Sequence, residues 1–515
     1  MTEVVEGRRQ KGPADLRADV VIVGSGAGGM VAGTILAESG LDVLILEEGR
    51  YVPARVHGAM RQSQSLRTLW RDGAMTLALG LGDTPGVNVT MGVGVGGSSL
   101  LTGGVCLRIP EGILAPWSRE LGLDELTPEG MDPYYREVEE AVHVEQVPVE
   151  MQSRSTQLFG IGAKKLGHPI RPIGRNTKGC NGCGRCNFGC PEQAKMSVDL
   201  AYLPRFLAAG GRLWSDCLVS RVVHRGGTAS GVKGRLFNGP NRTRGDRVEV
   251  HAKVVIVACG GLHSPLLLKQ SGLAPLGSQV GRNLTVHPGF RVFARFDEPV
   301  RGWRGAMQSA YTDAFEHDAV TLMSLFIPGS VIAATMPGAG ASLMRRARSL
   351  PNIAMFGAMV HDEGPGTVWR NPLGREPVVT YRMSKNDRRA MFKGIRLLGE
   401  TFFAAGAKEL FLPVLGLDET FDADSFRRFP LEDVPGRRIE CSSQHPLGSV
   451  QMGADAGSSG VDPDGKLWDT KNVFLCDGAV IPTSLGVNPQ LTIMAMATRI
   501  AQKLRDRYRS IARAA

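Results

Sequence analysis

Four cysteines fall within eleven residues: Cys180, Cys183, Cys186 and Cys190, the last followed by Pro191. The spacing CxxCxxCxxxCP is that of bacterial ferredoxin ligands, whose thiolates wrap an iron-sulfur cluster. Gly179, Gly182, Gly184 and Gly189 are interleaved with them and free the backbone to turn around such a group. The fourth ligand stays open, because in two-cluster ferredoxins the last cysteine of a run serves the other cluster. Cys190 itself or the distant Cys217 would complete a 4Fe-4S cluster, and without either the cluster is 3Fe-4S. Zinc is the rival ligand, and free thiols are the remaining alternative. The chain has nine cysteines, an odd number, so a metal centre in a reducing compartment fits better than a disulfide framework.

A second chemical signal is Gly24, Gly26 and Gly29, a GxGxxG that follows the apolar run VVIV and heads a helical stretch. The first glycine permits a tight turn, and the second lets backbone N–H groups approach a pyrophosphate. The helix N-terminus adds positive potential for that anion. Glu47 closes the next apolar run, where a carboxylate accepts hydrogen bonds from a ribose diol. A dinucleotide is therefore expected, and the loop alone does not separate NAD from FAD.

The elements that must position these groups follow from the same stretches. ADVVIVGSGAGGMVAGTILAESGLDVLILEEG reads as strand, glycine turn, helix and strand, with two continuous apolar runs typical of parallel strands covered on both faces. Residues 51 to 90 read as irregular. DPYYREVEEAVHV reads as a helix opened by Asp132, with Pro133 in its first turn. EVHAKVVIVACGG is a further strand into a glycine turn, and NVFLCDGAVIPTS followed by NPQLTIMAMATRIAQKL is strand and helix again. Between 289 and 440 the pattern changes to short strands and helices rich in Met, Phe and Ala.

These changes divide the chain into a disordered leader at 1–17, a discontinuous nucleotide domain at 18–110, 195–288 and 441–515, a connecting segment at 111–194 that carries the cysteine loop, and a substrate domain at 289–440. The fold class is α/β: a Rossmann-like unit with a parallel sheet, joined to an α+β substrate domain with a mainly antiparallel sheet.

Composition narrows the function. The chain has 515 residues, 43% of them hydrophobic and 21% charged, with a net charge of +10 that is dispersed among many acids. That dispersal argues against nucleic-acid binding. No run of apolar residues is long enough to span a bilayer, and the opening residues contain no secretory signal, so a cytoplasmic location is expected. The closing stretch QKLRDRYRSIARAA reads as a solvated basic helix, with peripheral membrane contact as the alternative.

Set in order after the glycine loop, GVGVGGSSLLTGG, GGLHSPLLLKQSGL, GRNLTVHP and HPLGSVQMG…VFLCDGAVIPTSLGVNPQLT resemble the glucose-methanol-choline (GMC) family of FAD oxidoreductases across nearly the whole chain. GWRGAMQSAY, the GPGTVW segment and the cysteine loop resemble most closely the branch with long-chain alcohol oxidases, and cholesterol oxidases are similar too. Gly261 and Ala274 depart from the family's usual signature. No histidine follows the glycine-serine segment Gly96–Gly104, so the resemblance implies noncovalent FAD.

The resemblance also implies roles. Gly97, Ser98 and Ser99 would lie along the pyrophosphate and flavin edge, and the Val219 backbone would touch adenine. Asp477 and Gly478 would meet the ribityl and phosphate region, and the helix starting near Pro489 would aim its N-terminus at the flavin pyrimidine. His445 would take the hydroxyl proton of an alcohol while hydride leaves its carbon for the flavin, and Asn488 would hold the alcohol oxygen. Without the resemblance, His445 reads as an ordinary loop histidine and Asn488 as a helix cap. His263 and His287 read as structural, and Asp313 and Glu316 as no more than outlying support.

The function implied is oxidation of a lipophilic alcohol, long-chain or sterol-like. The cluster would pass electrons singly to a quinone or cytochrome, which favours a dehydrogenase over an oxidase. A sugar or polyol dehydrogenase, or an FAD-containing lyase acting on cyanohydrins, is the alternative.

Overall fold

The computed structural model describes residues 3–238 and 243–514, built on two sheets. In the first, Val43–Leu46, Ala14–Val23 and Thr243–Val257 run parallel, with Val473–Leu475 added parallel to the end of the last. Val20–Ile22, Val43–Ile45 and Val254–Val257 are fully buried, as the continuous apolar runs require for strands covered on both faces. Thr228–Asn238 and Cys217–Arg225 extend the sheet as antiparallel strands. Helix Ala27–Glu38 packs against the long C-terminal helix Gln490–Ala514, so the ends of the sequence complete one nucleotide-binding layer.

The second sheet is mixed, with most of its pairings antiparallel. Gly289–Arg295 lies at its centre, between Ile353–Val360 and Cys441–Ser443. The face of this sheet beside the first unit forms one wall of a cavity. Its other side packs on helices Arg154–Lys165 and Lys385–Ala404 through Phe159, Phe356 and Phe402.

Three expectations are corrected. The leader is not disordered throughout, because Val5–Glu6 pairs parallel with Trp214–Ser215 and the first long strand already begins at Ala14. The stretch from 51 to 90 holds helices Ala54–Ala59 and Gln62–Leu69, and its strands Leu77–Gly80 and Val87–Val89 join the second sheet although they lie within 18–110. The helix expected from Asp132 starts at Pro128, because the Thr127 hydroxyl accepts the Gly130 N–H and proline fits the first turn, leaving Pro133 inside.

Candidate active site

Two cavities meet between the sheets. The first, about 630 Å³, is lined by Gly24, Gly26, Glu47, Gly97, Ser98, Ser99, Val219, Asp477 and Gly478. The second, about 830 Å³, is lined by His287, His445, Asn488 and Pro489. Ala27, Ser98, Ser99, Gln444 and Ile493 border both, so a long ligand in the first would present its end to the second.

The glycine loop fits a pyrophosphate. Gly24 has φ +103°, and a Cβ there would stand 2.3 Å from the Ala258 carbonyl oxygen, so only glycine makes this turn. A Cβ on Gly26 would meet nothing within 4 Å and would project into the cleft. Helix Ala27–Glu38 has no side-chain cap at its N-terminus, which leaves its first N–H groups for a bound anion.

The two carboxylates in this cleft are already engaged by protein. Glu47 accepts from Ser25 N–H, from the Ser25 hydroxyl at 2.7 Å and from Gly49 N–H at 2.7 Å. Asp477 accepts from Gly260 N–H at 2.8 Å, Ala479 N–H at 2.7 Å and the Ser264 hydroxyl. They brace the loops that line the cleft, and each keeps further acceptor capacity.

In the second cavity His445 and Asn488 come together, with Nε2 3.3 Å from Nδ2. Burial pushes the His445 pKa down to about 4, so the imidazole is neutral at pH 7. His287 was read as structural, yet its Nδ1 lies 3.1 Å from Nδ1 of His445, and its Nε2 accepts the Leu485 N–H at 2.7 Å. A neutral imidazole carries one proton. Because Nε2 of His287 is an acceptor, its proton is on Nδ1 and is donated to Nδ1 of His445. The His445 proton is then on Nε2. Nε2–H and the Asn488 NH₂ are both donors, and Asn488 Oδ1 is buried without a partner. A half-turn of the amide resolves both problems, bringing Oδ1 to Nε2–H and turning Nδ2 into the cavity.

The surroundings hold this arrangement. The backbone at His287 is left-handed, φ +46°, and is pinned by Asp362, which accepts the Val286 and His287 N–H groups at 2.9 and 3.0 Å and the Tyr381 hydroxyl. The turn before Asn488 is fixed by Trp117 Nε1–H on the Thr483 hydroxyl and by the Thr321 hydroxyl on the Gly486 carbonyl. Among the described residues, no Asp or Glu lines this cavity. Asp313 pairs with Arg171 near the surface and Glu316 is exposed, so neither supports the site.

The expected cluster gains no support. Cys180, Cys183, Cys186 and Cys190 do line one small pocket, but among the described residues no group of three or more His, Cys, Asp or Glu is arranged to hold a metal ion. The sulfurs have other partners. Cys186 accepts from Arg175 at 2.9 Å, Cys190 accepts from Ala194 N–H at 3.3 Å, and Cys180 accepts from Gly182 N–H at 3.5 Å. Cys217, the distant candidate, does not line this pocket and is buried beside the nucleotide cleft.

The loop instead braces the wall between the cavities. The buried Lys195 ammonium donates to the carbonyls of Ser99, Leu100, Thr102 and Cys186, and Arg175 donates to that of Gly103. Asn187 donates to the Leu101 carbonyl, and Phe188 stacks on Trp70 with ring centroids 5.3 Å apart. No helix among the described residues is long and apolar enough to cross a membrane.

Comparison with known proteins agrees with this architecture. The N- and C-terminal domain models of the GMC oxidoreductase family match residues 17–289 and 368–497. An uncharacterized GMC-type oxidoreductase of Mycobacterium tuberculosis is 37% identical over 95% of this chain and 76% of its own. A long-chain-alcohol oxidase of Arabidopsis thaliana is 27% identical over 97% of this chain and 68% of its own. The crystal structure of pyridoxine 4-oxidase from Mesorbium loti superposes with a TM-score of 0.71 at 19% identity, covering 94% of this chain and 99% of that one, a likeness of fold.

Proposed function

The chain belongs to the GMC oxidoreductase family, FAD-dependent oxidoreductases of alcohol-type donors, and from that premise we propose that it oxidises a lipophilic alcohol to the aldehyde or ketone at His445 and Asn488. The observation that carries this reading is the junction of the two cavities: a cleft suited to a dinucleotide opens on a larger chamber where an imidazole and an amide converge. Bound FAD supplies the hydride acceptor. Gly24, Gly26 and the helix at Ala27 would hold its pyrophosphate, and Val219, Gly97, Ser98, Ser99 and Gly478 would line its length. The C-terminal helix from Gln490 would offer its N-terminal dipole at the other end.

The lipophilic preference rests on the chamber wall. Leu66, Trp70, Phe188, Ile327 and Val331 line it, the last two from the Met-, Phe- and Ala-rich stretch at 289–440, and are suited to a hydrocarbon chain.

The base role expected of His445 needs a free lone pair on Nε2. The hydrogen bond from Leu485 to His287 favours a second reading of the resting state, in which His445 donates from Nε2 and Asn488 Nδ2 orients the alcohol oxygen. For His445 to accept the hydroxyl proton, the proton already on Nε2 must first leave. The contact with His287 controls that exchange.

The experiment is anaerobic mixing of the FAD-loaded enzyme with alcohols of graded chain length while flavin absorbance is followed. Bleaching that strengthens with chain length supports the reading, and His445→Ala and Asn488→Ala should each slow it at least about a hundredfold with FAD retained. Cyanohydrin cleavage without bleaching would favour the lyase, and bleaching by polyols alone would favour the sugar alternative. A preference for a dehydrogenase needs a cluster in the cysteine run to carry single electrons. Turnover in air, compared with turnover on a quinone, decides the acceptor.

A further inference from the structure

One cation in the alcohol chamber has N–H donors that no protein group meets among the described residues. Arg291, on strand Gly289–Arg295, lines the chamber and makes no side-chain hydrogen bond or ion pair among the described residues. Other enclosed arginines are paired: Arg175 with the Gly103 carbonyl, Arg346 with the Asp418 carbonyl, and Arg499 with Glu125 and the Pro463 carbonyl. A guanidinium stays charged in a protein and has five N–H donors in a planar fork. Desolvation lowers the Arg291 pKa, and the opposing fields come from Glu440, an exposed residue, and the buried Cys441. Arg291 is half-buried at the cavity wall, so its free donors are within reach of a ligand held there.

Its position relates it to the catalytic pair. Gly289 pairs with Ser442, three residues before His445, and Arg291 lies two residues further along the same face, about 7 Å along the strand. On one side its strand partner is Gly357, which has no side chain to cover the guanidinium, and on the other the register sets it opposite Glu440, whose carboxylate is not within ion-pair distance. The chamber thus combines apolar walls with one half-buried cation, while its other arginine, Arg61, is exposed.

We propose that Arg291 is a specificity-determining residue and that the preferred substrate is an alcohol bearing a carboxylate, a hydroxy acid whose hydrocarbon part lies along the apolar wall. The carboxylate meets the guanidinium in a two-pronged hydrogen bond, and the hydroxyl meets His445 and Asn488. This rests on the alcohol-oxidation reading above.

The test compares kcat/KM of the FAD-loaded enzyme for an ω-hydroxy fatty acid, its methyl ester and the plain n-alcohol of the same chain length. Wild type should favour the acid over its ester by at least about tenfold. Arg291→Gln should bring that ratio near one, and Arg291→Lys should keep part of it. In parallel, a saturated fatty acid anion should perturb the flavin spectrum of wild type at lower concentration than that of Arg291→Gln. A wild-type ratio near or below one, or the same ratio in Arg291→Gln, overturns the proposal. If Arg291→Gln does not fold, the wild-type ratio and Arg291→Lys decide it. When the n-alcohol bleaches the flavin and the acid has no advantage, only this inference fails. When no alcohol of the series bleaches it, the proposed function fails and this inference falls with it.

Discussion

Nδ1 of His287 lies 3.1 Å from Nδ1 of His445, although the two residues are 158 positions apart in the chain. Because the Leu485 N–H occupies Nε2 of His287, the contact has a direction, with His287 donating and His445 accepting. One backbone amide, two rings away, therefore determines which nitrogen of His445 carries the proton.

Replacing His287 tests that relationship. His287→Ala removes the donor to Nδ1 and leaves His445 free to exchange tautomers. The expected outcome is flavin reduction slowed roughly tenfold to a hundredfold, with FAD still bound and the fold intact by circular dichroism. An unchanged rate of reduction in stopped-flow measurements removes His287 from the chemistry.

The pH profile provides a second check. Burial holds the His445 pKa near 4, below the usual 6.5, so the neutral ring persists as pH falls from 7 and is lost only on approach to about 4. kcat/KM should therefore stay flat through pH 6.5 and decline on the acid side near 4. An inflection at 6.5 would show an exposed, ordinary imidazole and contradict the buried site.

Gly26 separates cofactor binding from folding. A Cβ there meets nothing within 4 Å of protein and stands in the nucleotide cleft. Gly26→Val should give a folded protein that purifies without flavin, whereas Gly24→Ala should lower thermal stability through its positive φ and the Ala258 carbonyl. Full FAD content in Gly26→Val would place the pyrophosphate elsewhere.

Lys195 supports the wall between the cavities. Lys195→Met leaves the carbonyls of Ser99, Leu100 and Thr102 without this donor inside the protein, a loss of about 2–4 kcal/mol. A lower Tm and weaker FAD retention should appear together. If FAD affinity is unchanged when stability falls, the cysteine loop supports the fold and not the flavin wall.

The sequence by itself determined what local spacing can determine. GxGxxG between apolar runs specified a strand, a turn and a helix, because turn geometry and strand burial are read from adjacent residues. Clustering of the four cysteines around one pocket was legible for the same reason, since they lie within one loop. Their partners were not, because Arg175 meets the Cys186 sulfur and Lys195 its carbonyl only once the loop has folded. The segment at 51–90 joined a sheet that only strands from the other end of the chain could complete. At the site, the order of motifs gave His445 and Asn488. Tertiary structure alone brought in His287 and Leu485 and set Arg291 in the chamber wall. Tautomer and charge pairing depend on distances of about 3 Å between groups far apart in sequence, and no spacing along the chain encodes those.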